Sequence, residues 1–480
     1  MNKRLLCRLV GNVVRVCGAL MLLPVAVSLI LHSGDTVPLL LSMLITAAVG
    51  TALALIQPRR DTLRAREGFA IVAFSWLLVS FLGGLPFYFS GYVPSLVDCF
   101  FETVSGFTTT GATILTDVEA LPKGLLFWRS FTHWAGGRGV LVLSLALIPK
   151  MGARSIHLMR AESPGPSTDK LVPRVANNAK ILYGIYVGLS VVMVVALLIC
   201  GLDLYDSLVH MFGAAGTGGF GTYGDSIAHF NSAAVDVVVG VFMALFGVNF
   251  SIYYYLIHKN WKAAFGNSEL RLYAAILLGA SAIIAVDIMP LFGQNFFTAL
   301  RYSFFQCSSI MTTTGYATAD FNIWPQLSRV LLVMLMFIGA SAGSTGGGIK
   351  VVRVQLLLKS MVRDIRRTVH PRSVNTVKLD GHTVDEGILS GVQGFFFAYF
   401  LVLIIATVIV SLDGFSFETS LTAVLATLSN IGPGLGMVGP VGNYAAFSGL
   451  SKIVLSMCML IGRLEIFPIL MLFAPSAWKH

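Results

Sequence analysis

The stretch Ser308–Phe321, SSIMTTTGYATADF, limits what this chain can fold into more than any other. The apolar, aromatic run before it, Phe296–Met311, is too short to cross a bilayer, which takes about 20 residues. A long apolar run follows it. Three threonines and a glycine make a poor helix and a poor strand, because threonine lacks helix propensity and glycine admits positive φ. Irregular backbone survives at membrane depth only where protein buries it or water wets it. Its carbonyls would then point inward and replace the water around an ion.

The unit occurs four times. Glu102–Thr113 reads ETVSGFTTTGAT, Met211–Thr222 reads MFGAAGTGGFGT, and Ala426–Gly436 reads ATLSNIGPGLG. Aligning Gly111, Gly218, Gly315 and Gly432 gives spacings of 107, 97 and 117 residues. A period near 100 is long for a solenoid. It suits a membrane protein built from repeated hairpins whose site lies where the repeats meet.

Composition agrees. The chain is 56% hydrophobic and 12% charged, far from the roughly 25% charged residues of soluble domains. Ten apolar stretches are long enough to span, near 6–31, 37–57, 68–89, 125–148, 181–201, 234–258, 271–289, 329–358, 387–412 and 451–473. Four shorter ones, near 95–107, 205–215, 296–311 and 416–429, read as half-helices. Segments next to the glycine loops lack Lys and Arg and carry acids such as Asp98, Glu102, Asp206 and Glu418. The alternate linkers are basic, as in Arg59–Arg66 and Lys350–Arg372. The positive-inside rule therefore puts the loops outside and both termini in the cytosol, and it accounts for the +10 net charge without nucleic acid. The six cysteines show no paired spacing and read as buried reduced thiols. The nine histidines form no ligand cluster, and His133 and His210 near the half-helices read as packed polar residues.

Taken together, TTTGAT, GTGGF, TTTGYAT and NIGPGLG, each between an apolar helix pair, resemble the TrkH/KtrB family of bacterial potassium uptake membrane proteins over nearly the whole chain. The resemblance implies an all-α integral membrane protein. A two-span hairpin (1–65) precedes four M1–P–M2 repeats (66–178, 179–268, 269–385 and 386–480) around one pore. It implies K⁺ as the transported ion, held by Thr109, Thr110 and Gly111; Gly216, Thr217 and Gly218; Thr313, Thr314 and Gly315; and Asn430, Ile431 and Gly432. The setting would be a bacterial inner membrane. The partners it implies are a second copy, giving a homodimer, and a cytosolic nucleotide-binding ring of the TrkA/KtrA type. No organic cofactor is expected in this chain.

Other features keep two readings. The run Gly339–Gly348, GASAGSTGGG, breaks an apolar span; it lacks the GK[ST] of a phosphate-binding loop. It is either a kinked helix or, as the resemblance implies, a gating loop beneath the filter containing Gly343, Ser344, Thr345, Gly346, Gly347 and Gly348. Arg463 and Glu465 lie within an apolar span, where charges are costly unless paired or wetted. They form an interhelical ion pair, or Arg463 faces the pore beside the loop as the resemblance implies. Arg138, where the family carries an apolar residue, either snorkels to the interface or borders the pore. Asn249 packs between helices or lines the pore. Lys350–Asp380 contacts phospholipid, a cytosolic subunit, or both.

No acid–base or nucleophilic constellation stands out, so the chain reads as a non-enzyme. The rival within its class is a Na⁺- or H⁺-coupled symporter, or a less selective K⁺/Na⁺ pathway. A lipid-modifying enzyme would need a polar catalytic cluster, and a purely structural membrane protein would leave four matched loops unexplained.

Overall fold

The structure is a computed structural model that describes residues 2–58, 65–137, 175–372 and 375–473. Nearly all of the regular structure is helical; a two-stranded ribbon, Lys378–Leu379 with His382–Thr383, is the sole sheet among the described residues.

Helices Lys3–Leu20 and Leu22–Ile30 run as one span with a seam at Met21, and Thr36–Ala54 returns beside them. Small residues let these two spans touch backbone to backbone. A methyl on Gly50 would lie 2.7 Å from the Arg15 amide nitrogen, the close approach that glycine permits between membrane helices. Asp35, in the turn between them, accepts from the Leu125 amide at 2.6 Å. The hairpin is thus fastened to repeat one.

Each repeat then has an outer helix, a half-helix and an inner helix. The half-helices are Leu96–Phe107, Leu204–Gly216, Phe296–Met311 and Phe417–Leu428. All four start in the same way. The side chains of Ser95, Asp203, Asn295 and Ser416 each accept the amide three residues on, which satisfies an otherwise orphaned donor. Each half-helix then ends on a glycine loop, and those four ends converge.

The inner helices depart from the expected continuous spans. Repeat two breaks at Gly247–Asn249, between Ala233–Phe246 and Phe250–Ile257, with a 93° bend. Repeat three breaks between Gln326–Ile338 and Val351–Val369, as its glycines predict. Repeat four breaks between Gly449–Arg463 and Phe467–Phe473, with Glu465 and Ile466 both at positive φ. So 234–258 and 451–473 are not single helices. In repeat one the inner helix Lys123–Gly137 reaches the limit of the described residues; Arg138 and the chain on to residue 174 lie outside them.

Candidate functional site

The four loops share one backbone conformation. Thr109, Thr217, Thr313 and Asn430 are left-handed, with φ of 55°, 57°, 60° and 57°. Two residues on, Gly111, Gly219, Gly315 and Gly432 have φ of 81°, 80°, 83° and 92°. Between them, the amides of Thr110, Gly218, Thr314 and Ile431 reach back five residues to carbonyls at 2.8–2.9 Å. This 6→1 closure ends a helix abruptly and turns the following carbonyls away from its axis.

One register correction follows. In repeat two the equivalent glycine is Gly219, not Gly218, so the spacings are 108, 96 and 117 residues. Gly216 is the last residue of its half-helix, against the His133 backbone, and is not part of the loop. The signal was present in the sequence: Gly219-Phe220 matches Gly315-Tyr316, an aromatic after the glycine.

With that register the loops close into a ring. A methyl on Gly111 would strike the carbonyl oxygen of Gly218, one on Gly219 that of Thr314, and one on Gly315 that of Ile431. On Gly432 it would lie 2.6 Å from the Thr110 oxygen. Each repeat's glycine therefore abuts the carbonyl just before the next repeat's glycine, and repeat four returns to repeat one. Thr109, Thr110, Thr217, Thr313, Thr314, Asn430 and Ile431 are all fully buried.

Side chains behind the ring fix it. Glu102 and Arg129 form a buried ion pair at 2.7 Å. The Glu102 carboxylate also accepts from Thr113 Oγ1 at 2.9 Å and the Ile114 amide at 3.0 Å, while the guanidinium lies 3.5 Å from the Phe220 ring centre. With its lone pairs used, this carboxylate meets the condition under which a buried pair is tolerated. The Tyr316 hydroxyl donates to Phe220 O at 2.8 Å, and Tyr444 donates to Gly432 O at 2.7 Å. Asn430 Nδ2 bridges Thr110 Oγ1 and Met459 O, both at 2.9 Å. Arg129, Tyr316 and Tyr444 were not singled out from the sequence, because nothing local marks a residue as standing behind another repeat's loop. His133 and His210 are buried, with Nδ1 against Gly106 O at 2.7 Å and Asp206 O at 2.8 Å.

Next to the ring lies the glycine-rich break, tied to repeats two, three and four. The Gly347 amide donates to Thr313 Oγ1 at 2.7 Å. Thr345 Oγ1 donates to Phe246 O at 3.2 Å, and the Phe250 amide to Gly343 O at 3.3 Å. A methyl on Gly346 would lie 2.8 Å from Thr312 O, and one on Gly347 would strike Ser429 O. Gly339, Gly343 and Gly348 hold φ of 72–75°. Ser344 Oγ donates to Ser341 O at 2.6 Å, turning the loop on itself.

Arg463 is the hub. Its Nη1 donates to Thr345 O at 2.8 Å and to Thr109 Oγ1 at 3.3 Å, and its Nη2 to Gly136 O and Gly137 O, both at 2.6 Å. It thus touches the ring, the glycine-rich loop and repeat one together. Glu465 pairs with Arg353 of the helix Val351–Val369, the interhelical ion pair open to it, while Arg463 turns to the ring and the glycine-rich loop. Lys350 Nζ folds back onto Gly346 O. Asn249 caps Phe250–Ile257 through the Ser251 amide at 2.9 Å and lies 3.0 Å from where a Gly343 methyl would stand.

Comparison with known proteins agrees with this architecture. A family model described as TrkH, cation transport protein, matches residues 39–272 and 294–479. The Trk system potassium uptake protein TrkH of Salmonella typhimurium is 37% identical over 489 residues, covering 100% of both chains. TrkG of Escherichia coli K12, also a Trk system potassium uptake protein, is 34% identical and covers 87% of this chain and 86% of its own. The crystal structure of the potassium transporter TrkH from Vibrio parahaemolyticus superposes with a TM-score of 0.89 at 33% identity, covering 100% of both. On the strength of these matches, the four-loop ring is that of a cation transporter, and the chain belongs to the TrkH family.

Proposed function

We propose that this chain carries K⁺ inward across a bacterial inner membrane, as the ion-translocating subunit of a Trk-type uptake system. The observation that carries the reading is the closed ring of glycine-to-carbonyl contacts through Thr110, Gly218, Thr314 and Ile431. A ring so fixed presents carbonyl oxygens in place of an ion's water. The binding residues in this reading are Thr109–Gly111, Thr217–Gly219, Thr313–Gly315 and Asn430–Gly432. Four half-helix C-termini aim at the ring, each worth about half a negative charge. A negative interior adds about 2.3 kcal/mol per charge per 100 mV in the inward direction. Full-length relatives named potassium uptake proteins support the choice of ion. In a transporter family of this kind no enzymatic role is invoked.

In the same reading Gly343–Gly348 is the gate and Arg463 its cationic pin. Both termini are cytosolic. Val351–Val369, with Arg363, Arg366 and Arg367 in its last turns, faces a cytosolic nucleotide-binding ring, and two copies of the chain pair as a homodimer.

The test is tracer flux in liposomes containing the purified chain with and without its ring. Rubidium-86 or K⁺ uptake should follow imposed voltage with no other gradient present, and Na⁺ should compete weakly. Uptake that needs an imposed pH or Na⁺ gradient at zero voltage would replace this with coupled carriage. No cation flux under any of these conditions would remove the reading.

A further inference from the structure

Glu269 lies in the first turn of Ser268–Ile288, the outer helix of repeat three, and is 5% exposed. An acidic residue there has a bland explanation, since a carboxylate complements the helix dipole. What its oxygen touches is more specific. Oε1 accepts the Ala342 amide at 2.7 Å and the Val352 amide at 3.2 Å. Ala342 leads into Gly343, and Val352 opens the helix that follows Lys350. One buried oxygen therefore grips both ends of the glycine-rich loop.

The second bond also replaces something missing. Val351–Val369 begins after Lys350, which offers its amides no side-chain cap. The first amides of a helix need an acceptor from elsewhere, and Glu269 supplies one from another helix. Swinging the loop away from the ring moves at least one of these two ends. That leaves a buried acceptor short of a donor and a helix start uncapped. Such a loss costs more than an ordinary hydrogen bond, because the acceptor is left buried and unsatisfied.

We propose that Glu269 is the positioning residue that latches this loop across the ion path, its two ends being released when the path opens. The proposal rests on the gate reading above. Lys350, Arg353 and Glu465 are the charged side chains gathered around the loop's exit beside it.

The test compares Glu269→Ala, Glu269→Asp and Glu269→Gln with a variant lacking Gly343–Gly347, each as full-length chain in liposomes without its ring. Glu269→Ala should raise flux about tenfold, since two hydrogen bonds to one buried oxygen are lost, with K⁺ over Na⁺ preference unchanged. Glu269→Asp keeps the carboxyl group but is one methylene too short to reach both amides, and it should leak likewise. Glu269→Gln keeps an oxygen at the same reach and should stay near wild type. A merely structural role would lower the yield of folded protein or alter selectivity without raising flux. The latch is overturned if Ala and Asp, or Asp alone where Ala does not fold, stay at wild-type flux while the loop deletion conducts. It is overturned too if Gln leaks as much as Ala. If the loop deletion itself conducts no cation, the gate reading falls and the latch with it.

Discussion

Two glycine-rich stretches meet at membrane depth in this chain, and they are held differently. In the four-loop ring, glycine meets backbone: each positive-φ glycine abuts a carbonyl of the next loop, and the circuit closes. In Gly339–Gly348 backbone contacts to Thr312 O, Ser429 O and the Phe250 amide form no circuit, and side chains add ties from Thr313, Glu269, Arg463 and Lys350. Backbone contacts in a closed circuit cannot be released one at a time, whereas side-chain ties can. The first arrangement suits a structure that must keep sub-ångström spacing, the second one that must leave and return.

The sharpest way to break this contrast is at the ring. Gly315→Ser adds a side chain at φ 83° against Ile431 O; such strain costs about 1–3 kcal/mol. K⁺ over Na⁺ discrimination should fall by about a hundredfold at the upper end of that range, measured as uptake at low K⁺ with competing Na⁺ at normal membrane levels. Gly219→Ser should do the same. Discrimination surviving in Gly219→Ser but lost in a Gly218 variant would restore the register first expected and undo the ring.

Removing Gly343–Gly347 should raise flux without the cytosolic ring by about tenfold or more, with less effect on discrimination, since several ties of the order of 1 kcal/mol are lost together. Unchanged flux from folded protein would mean that the stretch is only a kink. Arg463→Ala should raise flux by a smaller factor, about threefold to tenfold, because the ties through Thr313 and Glu269 remain while a cation near the path is gone. Slower transport in every assay would mark Arg463 as purely structural. The smallest effect is expected at a glycine in neither region. Gly188, in Val175–Ile199, has nothing within 4 Å of an added methyl. Gly188→Ala should leave transport unchanged and shift thermal stability by no more than about 1 kcal/mol, towards greater stability.

Much of the fold was legible because the bilayer forces the issue: long apolar runs must be helices, and shorter ones ending in Thr and Gly must be something else. Gly346–Gly348 announced the break in repeat three. The other breaks carried no such mark. Gly247-Val248-Asn249 contains one ordinary glycine, and Leu464–Ile466 contains none, so tertiary ties, not propensity, bend those helices. The ring's position was readable from TTTG, but its closure was not. Which carbonyl each glycine meets depends on residues about 100 positions away, and the Gly218-Gly219 doublet left two registers that only the following aromatic separates. Glu102 stood out from the sequence only as one outer acid among several; its partner Arg129 gives it a different role.

The ring is assembled from one polypeptide rather than four identical ones, and that alters what inheritance can do to it. A single codon change reaches one quarter of the circuit and leaves the other three as they were. The side chains on the four abutting carbonyl residues have accordingly diverged into threonine, glycine, threonine and isoleucine, and repeat four carries Asn430 where the others carry threonine. The four glycines have not diverged, since a side chain on any one of them would strike its neighbour. A variant library of this protein should therefore read as four unequal experiments on one opening, each quarter free to drift in its side chains but bound to its neighbours through its backbone.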